Sequence, residues 1–106
     1  MSRRSIKLTA LAAEDLIGIQ QAIAKLNPFS ADRILLKIEA RIATLCEFPD
    51  RGFRRPRLDP DMRIVIEGNY LVMYKADELA VTIVRVVYGR RDLSNISLVG
   101  ESEEGN

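Results

Sequence analysis

The chain has 106 residues, of which 47% are hydrophobic and 29% charged, and its formal net charge is +1. This length accommodates one domain with a single modest core, and this composition excludes a chain that is disordered throughout. Since no apolar run reaches the roughly eighteen residues of a membrane span, and none follows the first four residues as in a signal peptide, we expect a cytoplasmic protein.

Histidine is absent and cysteine occurs once. The lack of histidine removes the commonest general base and the commonest metal ligand, and we expect neither a metal nor a cofactor. Cys46 lies in an apolar helical pattern, which predicts that its thiol packs in the core. Three of the 15 acidic residues occupy the last six positions, so the rest of the chain is more basic than its net charge indicates.

The first 45 residues contain one strand pattern and two helical patterns. Residues 4–9 alternate Ile6 and Leu8 with polar residues, which predicts a strand, and Thr9 is placed to cap a helix that starts at position 10. Apolar residues at steps of four and three then form the stripes Ala12, Leu16, Ile19, Ile23, Leu26 and Ala31, Leu35, Ile38, Ile42, Leu45. These stripes predict a helical hairpin, whose second helix is capped by Asn27 or Ser30.

The second half of the sequence predicts a loop followed by three strands. Phe48 and Pro49 end the helix, and residues 50–61 are rich in proline, glycine and charge, which indicates a surface loop. Residues 62–67, 70–75 and 81–88 have strand composition, and the first two runs flank a Gly-Asn hairpin signal at 68–69. We therefore predict an α+β domain with the order β-αα-βββ, in which the helical hairpin packs on a small, mainly antiparallel sheet. It spans residues 1–93, and a C-terminal segment, 94–106, ends in a mobile acidic tail.

The predicted strands carry apolar residues on both faces. Neighbouring side chains of a strand point to opposite faces, so a sheet with one wet face has apolar residues on one parity only. In residues 81–88 one parity contains Val81, Ile83 and Val87, and the other contains Val84, Val86 and Tyr88. The helical hairpin covers one face, which leaves the C-terminal segment, a second copy or a partner to cover the other.

Seven short motifs occur in a fixed order between positions 8 and 93. They are Glu14-Asp15-Leu16-x-x-Ile19, Asn27-Pro28, Ala31-x-Arg33-Ile34, Phe48-Pro49-x-x-Gly52, Met62-Arg63-Ile64, Gly68-x-Tyr70-Leu71-Val72-x-Tyr74 and Arg85-Val86-Val87-x-Gly89-x-Arg91-Asp92-Leu93. Together they resemble ParE-type toxins of the ParE/RelE superfamily. The resemblance implies the toxin of a type II toxin-antitoxin pair, with a ParD-like antitoxin that has a ribbon-helix-helix part and a C-terminal part that folds along the toxin.

The superfamily contains two toxic activities on one fold, so the fold does not choose between them. ParE-branch toxins trap DNA gyrase on cleaved DNA, and RelE-branch toxins cut messenger RNA on the ribosome. RelE-like nucleases place an arginine and a tyrosine at the positions that Leu71 and Ser97 occupy in this sequence. The resemblance therefore favours a gyrase inhibitor that is not an enzyme. A RelE-like ribosome-dependent mRNA endonuclease and an inactive antitoxin-binding module are the alternatives.

The candidate site residues follow from these expectations, and none is assigned a catalytic role. Contacts to gyrase are assigned to exposed arginines of the loop and of the last strand end: Arg54, Arg55, Arg57, Arg90 and Arg91. Contacts to the antitoxin are assigned to apolar residues of the hairpin and the sheet: Leu16, Ile19, Ile23, Leu35, Ile38, Ile42, Leu71 and Met73.

Overall fold

Two helices pack on one face of a five-stranded sheet in the computed structural model, which describes residues 4–89. The elements are β1 Ser5–Leu8, α1 Ala10–Ala24, α2 Pro28–Leu45, a 3₁₀ turn Pro49–Arg51, β2 Phe53–Arg54, β3 Arg63–Glu67, β4 Tyr70–Ala76 and β5 Ala80–Tyr88. The strand order is β1-β5-β4-β3-β2; β1 is parallel to β5, and the other pairs are antiparallel. The predicted α+β fold is confirmed. The predicted segment 94–106 and its tail lie outside the described residues.

Side-chain caps start both helices. The Thr9 hydroxyl accepts a hydrogen bond from the backbone N–H of Ala12 at 3.0 Å and donates one to the carbonyl of Val84 at 2.8 Å, which joins α1 to β5. The Asn27 side chain accepts from the N–H groups of Phe29 and Ser30 at 3.1 and 3.3 Å, so Asn27 is the cap of α2. Neither described helix is long and apolar enough to cross a membrane.

A contact between distant residues orders the segment that the sequence predicts to be a loop. The Tyr74 hydroxyl accepts from the Gly52 N–H at 2.8 Å and donates to the Pro49 carbonyl at 2.6 Å. Gly52 fits only because it lacks a side chain, since a Cβ there would lie 2.6 Å from that hydroxyl. Residues 53–54 then pair with β3 as the short strand β2, which local sequence patterns did not predict.

The central strands β3, β4 and β5 have buried residues on both faces, whereas β1 and β2 at the edges are exposed. On the helix side, one cluster joins α1 and α2 to the sheet, and its fully buried members include Ile38, Tyr74 and Ile83. Cys46 is also buried, as predicted. On the opposite face, Leu58, Ile66 and Val87 pack against a second buried cluster, which consists of Met62, Ile64, Leu71, Met73 and Val84. This second face is buried within the chain alone, so these residues need no second copy or partner as their cover.

A β-bulge explains part of the mixed parity in β5. Met73 pairs with Arg85 while its neighbour Tyr74 pairs with Ile83, which leaves Val84 as the extra residue. The bulge shifts the alternation by one residue, and Ile83 before it and Val86 after it both join the helix-side cluster. Residues of opposite parity in the sequence therefore share one face of this strand.

Candidate functional site

A groove beside α1 is the first candidate site. β1 pairs with β5 only as far as Ile83, and beyond that residue no described strand lies on this side of β5. The opening has a volume of about 640 Å³ between α1 and the ends of β4 and β5. We call it the α1 groove; its lining residues are Glu14, Asp15, Gly18, Ile19, Ala22, Ile23, Leu26, Tyr70, Arg85, Val86, Val87 and Tyr88.

A partly buried ion pair fixes one wall of the α1 groove. The Arg85 guanidinium donates to both carboxylate oxygens of Asp15, with Nε–Oδ2 at 2.7 Å and Nη2–Oδ1 at 2.9 Å, and the Val86 N–H donates to the same carboxylate at 2.9 Å. The hydrogen bonds that Arg85 donates to Asp15 raise the pKa of Arg85. This carboxylate therefore ties α1 to the strand just after the bulge. The sequence interpretation missed the pair, because no local pattern connects residues 70 positions apart.

The remaining lining of the α1 groove is mainly apolar. The rings of Tyr70 and Tyr88 meet edge to face at 5.3 Å, and burial raises the pKa of Tyr70. Ile19 and Ile23 are half-buried along the helix, and Leu26, just beyond the end of α1, is 89% exposed. Apolar residues that lie together on an accessible surface, next to polar groups, are typical of a protein-docking groove.

The predicted antitoxin contacts divide between surface and core. Ile19 and Ile23 line the α1 groove, and Leu16 and Leu35 are half-buried elsewhere on the hairpin. The other four are buried in the two clusters of the sheet: Ile38, Ile42, Leu71 and Met73. This corrects their assignment, because the hairpin stripe and the sheet pack against other parts of the chain, and a buried side chain offers no surface to a partner.

The segment 48–57, which we call the arginine loop, is the second candidate site. It brings together the predicted target contacts Arg54, Arg55 and Arg57, which are all exposed. The other two, Arg90 and Arg91, lie outside the described residues. Hydrogen bonds hold the loop in place: the Arg55 N–H donates to the Met62 carbonyl at 2.9 Å and Arg54 Nη2 donates to the Pro60 carbonyl at 2.8 Å.

Two arginines of the arginine loop stack on phenylalanine rings. Arg51 lies 4.9 Å from the centre of the Phe48 ring, and Arg55 lies 4.4 Å from that of Phe53. The two phenylalanines are 51% and 41% exposed. Sequence reasoning did not single out these rings, although the two-residue step from Phe53 to Arg55 places both side chains on one face of an extended chain.

A second opening, of about 360 Å³, is lined by charges of both signs. Arg4, Arg54 and Arg63 line it together with four carboxylates, and Arg63 Nη1 donates to the Gly52 carbonyl at 2.7 Å. Within residues 4–89, no group of three or more His, Cys, Asp or Glu side chains is arranged to hold a metal ion.

The family model for the ParE toxin of type II toxin-antitoxin systems, parDE, matches residues 6–93. The chain belongs to the ParE toxin family. This ParE-family toxin is also similar to Toxin RelE2 of Caulobacter vibrioides, with 29% identity over 80 residues that span 76% of this chain and 89% of the relative.

Two solved structures have a similar fold. The chromosomal ParDE toxin-antitoxin system of P. aeruginosa contains a chain that matches with a TM-score of 0.69 and 22% identity, covering 83% of this toxin and 98% of that chain. A chain of the RelBE2 toxin-antitoxin complex of Mycobacterium tuberculosis matches with a TM-score of 0.55 and 25% identity, covering 82% and 99%. The arrangement of helices and sheet is therefore that of ParE/RelE toxins.

Proposed function

We propose that this toxin inhibits DNA gyrase by binding through the arginine loop, and that a ParD-like antitoxin neutralises it by occupying the α1 groove. The proposed action is binding without catalysis by this chain. The observation that carries the proposal is that one arginine of β5 and one of β3 already bind groups of the protein. Arg85 donates to the Asp15 carboxylate, and Arg63 donates to the Gly52 carbonyl.

Cleavage of a phosphodiester needs a proton acceptor and a proton donor on opposite sides of the phosphate. Leu71, where the resemblance to RelE-like nucleases implies an arginine, is an apolar residue buried in the second cluster. Arg85 makes two hydrogen bonds to a carboxylate, which raise its pKa and oppose proton transfer. These features favour an inhibitor that acts by affinity over a nuclease.

The α1 groove supports the antitoxin half of the proposal. It combines the apolar side chains of Ile19, Ile23 and Leu26 with the part of β5 that has no described strand beside it. An amphipathic helix or an extended segment binds such a surface through apolar side chains. The two structural neighbours come from toxin-antitoxin systems, which is in keeping with a partner of this class.

Ribosome-dependent mRNA cleavage is the second candidate function. It is favoured by the similarity to the Caulobacter vibrioides protein named Toxin RelE2 and to the RelBE2 complex. In that case the arginine loop would contact ribosomal or messenger RNA. An inactive module that only binds antitoxin is the third possibility on the same fold.

One pair of assays distinguishes the three functions. Purified toxin, freed from its antitoxin, is added to gyrase with plasmid DNA and, separately, to an in vitro translation reaction. We expect loss of supercoiling and accumulation of cleaved DNA, reversed by antitoxin, with intact messenger RNA. Cleaved messenger with unaffected gyrase would establish the nuclease function instead, and no effect in either assay would indicate the inactive module.

A further inference from the structure

We propose that the arginine loop contacts single-stranded DNA directly, with bases stacked on Phe48 and Phe53 and phosphates bound by the arginines around them. The proposed function leaves open whether the toxin touches only the gyrase protein or also its DNA. The choice of DNA over RNA as the ligand rests on the proposed inhibition of gyrase, whereas the rest of the inference does not depend on it.

The charge of the arginine loop fits a polyanion. Residues 48–57 contain four arginines and a single carboxylate, Asp50. Asp50 is paired with Arg63, which lies outside the loop, at 3.5 Å. Among the residues that the structure describes, no ion pair involves Arg51, Arg54, Arg55 or Arg57. Their positive charges are therefore available to phosphates, and each phosphate contact releases counterions.

The aromatic rings of the loop favour a single strand over a duplex. Phe48 and Phe53 each have a guanidinium over one face and remain about half exposed. An exposed ring next to arginine stacks on an unpaired base, and this contact does not depend on the base sequence. The bases of a duplex are already stacked on one another. An acidic protein surface would satisfy the arginines but would leave no specific role for two exposed rings.

The loop is ordered before any ligand binds. The Tyr74 hydroxyl fixes residues 49 and 52, and Lys75 holds the carboxylate of Asp59 at 2.7 Å on the far side of the turn. A bound strand would therefore have few protein groups to immobilise, which lowers the entropic cost of association.

The test is fluorescence anisotropy with the full chain and labelled oligonucleotides of about twelve nucleotides, close to the length that one single-strand-binding domain covers. Single-stranded DNA, the matching duplex and single-stranded RNA are compared at about 50 mM and about 200 mM salt. We expect the single DNA strand to bind most tightly, and its affinity to fall as salt rises. Phe53→Ala and Arg55→Ala should each weaken it about tenfold.

Phe29→Ala and Arg33→Ala are the matched controls, because both residues are exposed on α2, outside the loop. They should leave the affinity for single-stranded DNA unchanged, and thermal melts should show that all four variants fold. Absence of binding at low salt, equal binding of the duplex, tighter binding of RNA, or an affinity that Phe53→Ala does not change would each overturn the inference.

The two proposals fail separately, because the anisotropy assay contains no gyrase. Single-stranded DNA binding with unaffected gyrase would leave this inference intact and overturn the proposed function. Gyrase inhibition that is equally strong for the unmodified toxin and for Phe53→Ala, without binding to the oligonucleotide, would overturn this inference and retain the proposed function.

Discussion

Arg85 in the α1 groove and Arg55 in the arginine loop are the same residue type in opposite surroundings. The Arg85 side chain is 17% exposed and binds both oxygens of Asp15, whereas Arg55 is exposed and stacks on Phe53. Breaking a buried pair leaves a charge without its partner in a poorly solvated place, while an exposed arginine is solvated by water. The groove is therefore linked to the stability of the fold, and the charges of the loop are available for binding.

The largest effect is expected for Asp15→Ala. The change leaves the Arg85 guanidinium and the Val86 N–H without their carboxylate, and we expect a loss of about 3 kcal/mol in the free energy of unfolding. Glu14→Ala, at the neighbouring exposed position, is the control and should change stability little. Urea unfolding measures both variants. A loss of less than about 1 kcal/mol, the level of a surface salt bridge, would remove the contrast between the two arginines.

A smaller loss is expected for Gly52→Ala in the arginine loop. Its Cβ would lie 2.6 Å from the Tyr74 hydroxyl and 2.9 Å from the Ile64 carbonyl, so the loop must shift, at a cost of about 2 kcal/mol. Gly18→Ala is the matched control, because nothing lies within 4 Å of its Cβ position on α1. The control should be stabilised by about 0.5–1 kcal/mol. Equal unfolding midpoints for the two variants would show that Tyr74 does not fix the loop.

Antitoxin affinity is expected to depend on the α1 groove and not on the exposed surface of α2. Leu26→Asp replaces an exposed apolar residue that lines the α1 groove, and we expect antitoxin affinity to fall about tenfold or more without loss of folding. Leu36→Asp is the matched control on α2, since this leucine is also exposed, at 63%, and does not line the groove. Calorimetric titration measures both. Equal weakening by the two substitutions would place the antitoxin elsewhere on the hairpin.

The smallest effect concerns the turn between β4 and β5. The N–H groups of Leu79 and Ala80 donate to the Asp77 carboxylate at 2.8 Å each and hold its pKa below 3.8. A carboxylate whose pKa is lower in the folded state than in the unfolded state stabilises the fold at pH values above its unfolded-state pKa. This stabilisation is lost as the pH falls through the folded-state pKa. Asp77→Asn should therefore lower the urea midpoint slightly at pH 7, and the difference should vanish well below pH 3.8. If the difference in urea midpoint persisted in acid, the substitution would act through the shape of the turn and not through the charge of Asp77.

Local patterns predicted the helices, their caps and the strands other than β2. The hydroxyl of Thr9, the amide of Asn27 and the Gly-Asn hairpin at 68–69 act within a few residues of their own positions, so they are visible in the sequence. The stripes of the helical hairpin also predicted one apolar side for each helix.

The features that were missed depend on contacts between distant residues. The pair of Asp15 with Arg85 spans 70 positions, and the Tyr74 hydroxyl fixes Gly52 from 22 positions away. The bulge at Val84 reverses the parity on which the sequence interpretation of the sheet depended. For the candidate site, the sequence predicted that the arginines lie on an exposed loop, but it could not separate the half-buried Ile23 from the buried Ile38 on the hairpin.

We propose that the arginine loop acts on gyrase while the α1 groove binds the antitoxin. A gyrase DNA-cleavage assay with the triple variant Arg54→Ala, Arg55→Ala, Arg57→Ala tests it most directly. The variant should still fold and bind antitoxin as the unmodified toxin does, but it should accumulate far less cleaved DNA. Accumulation of cleaved DNA equal to that of the unmodified toxin would contradict the claim.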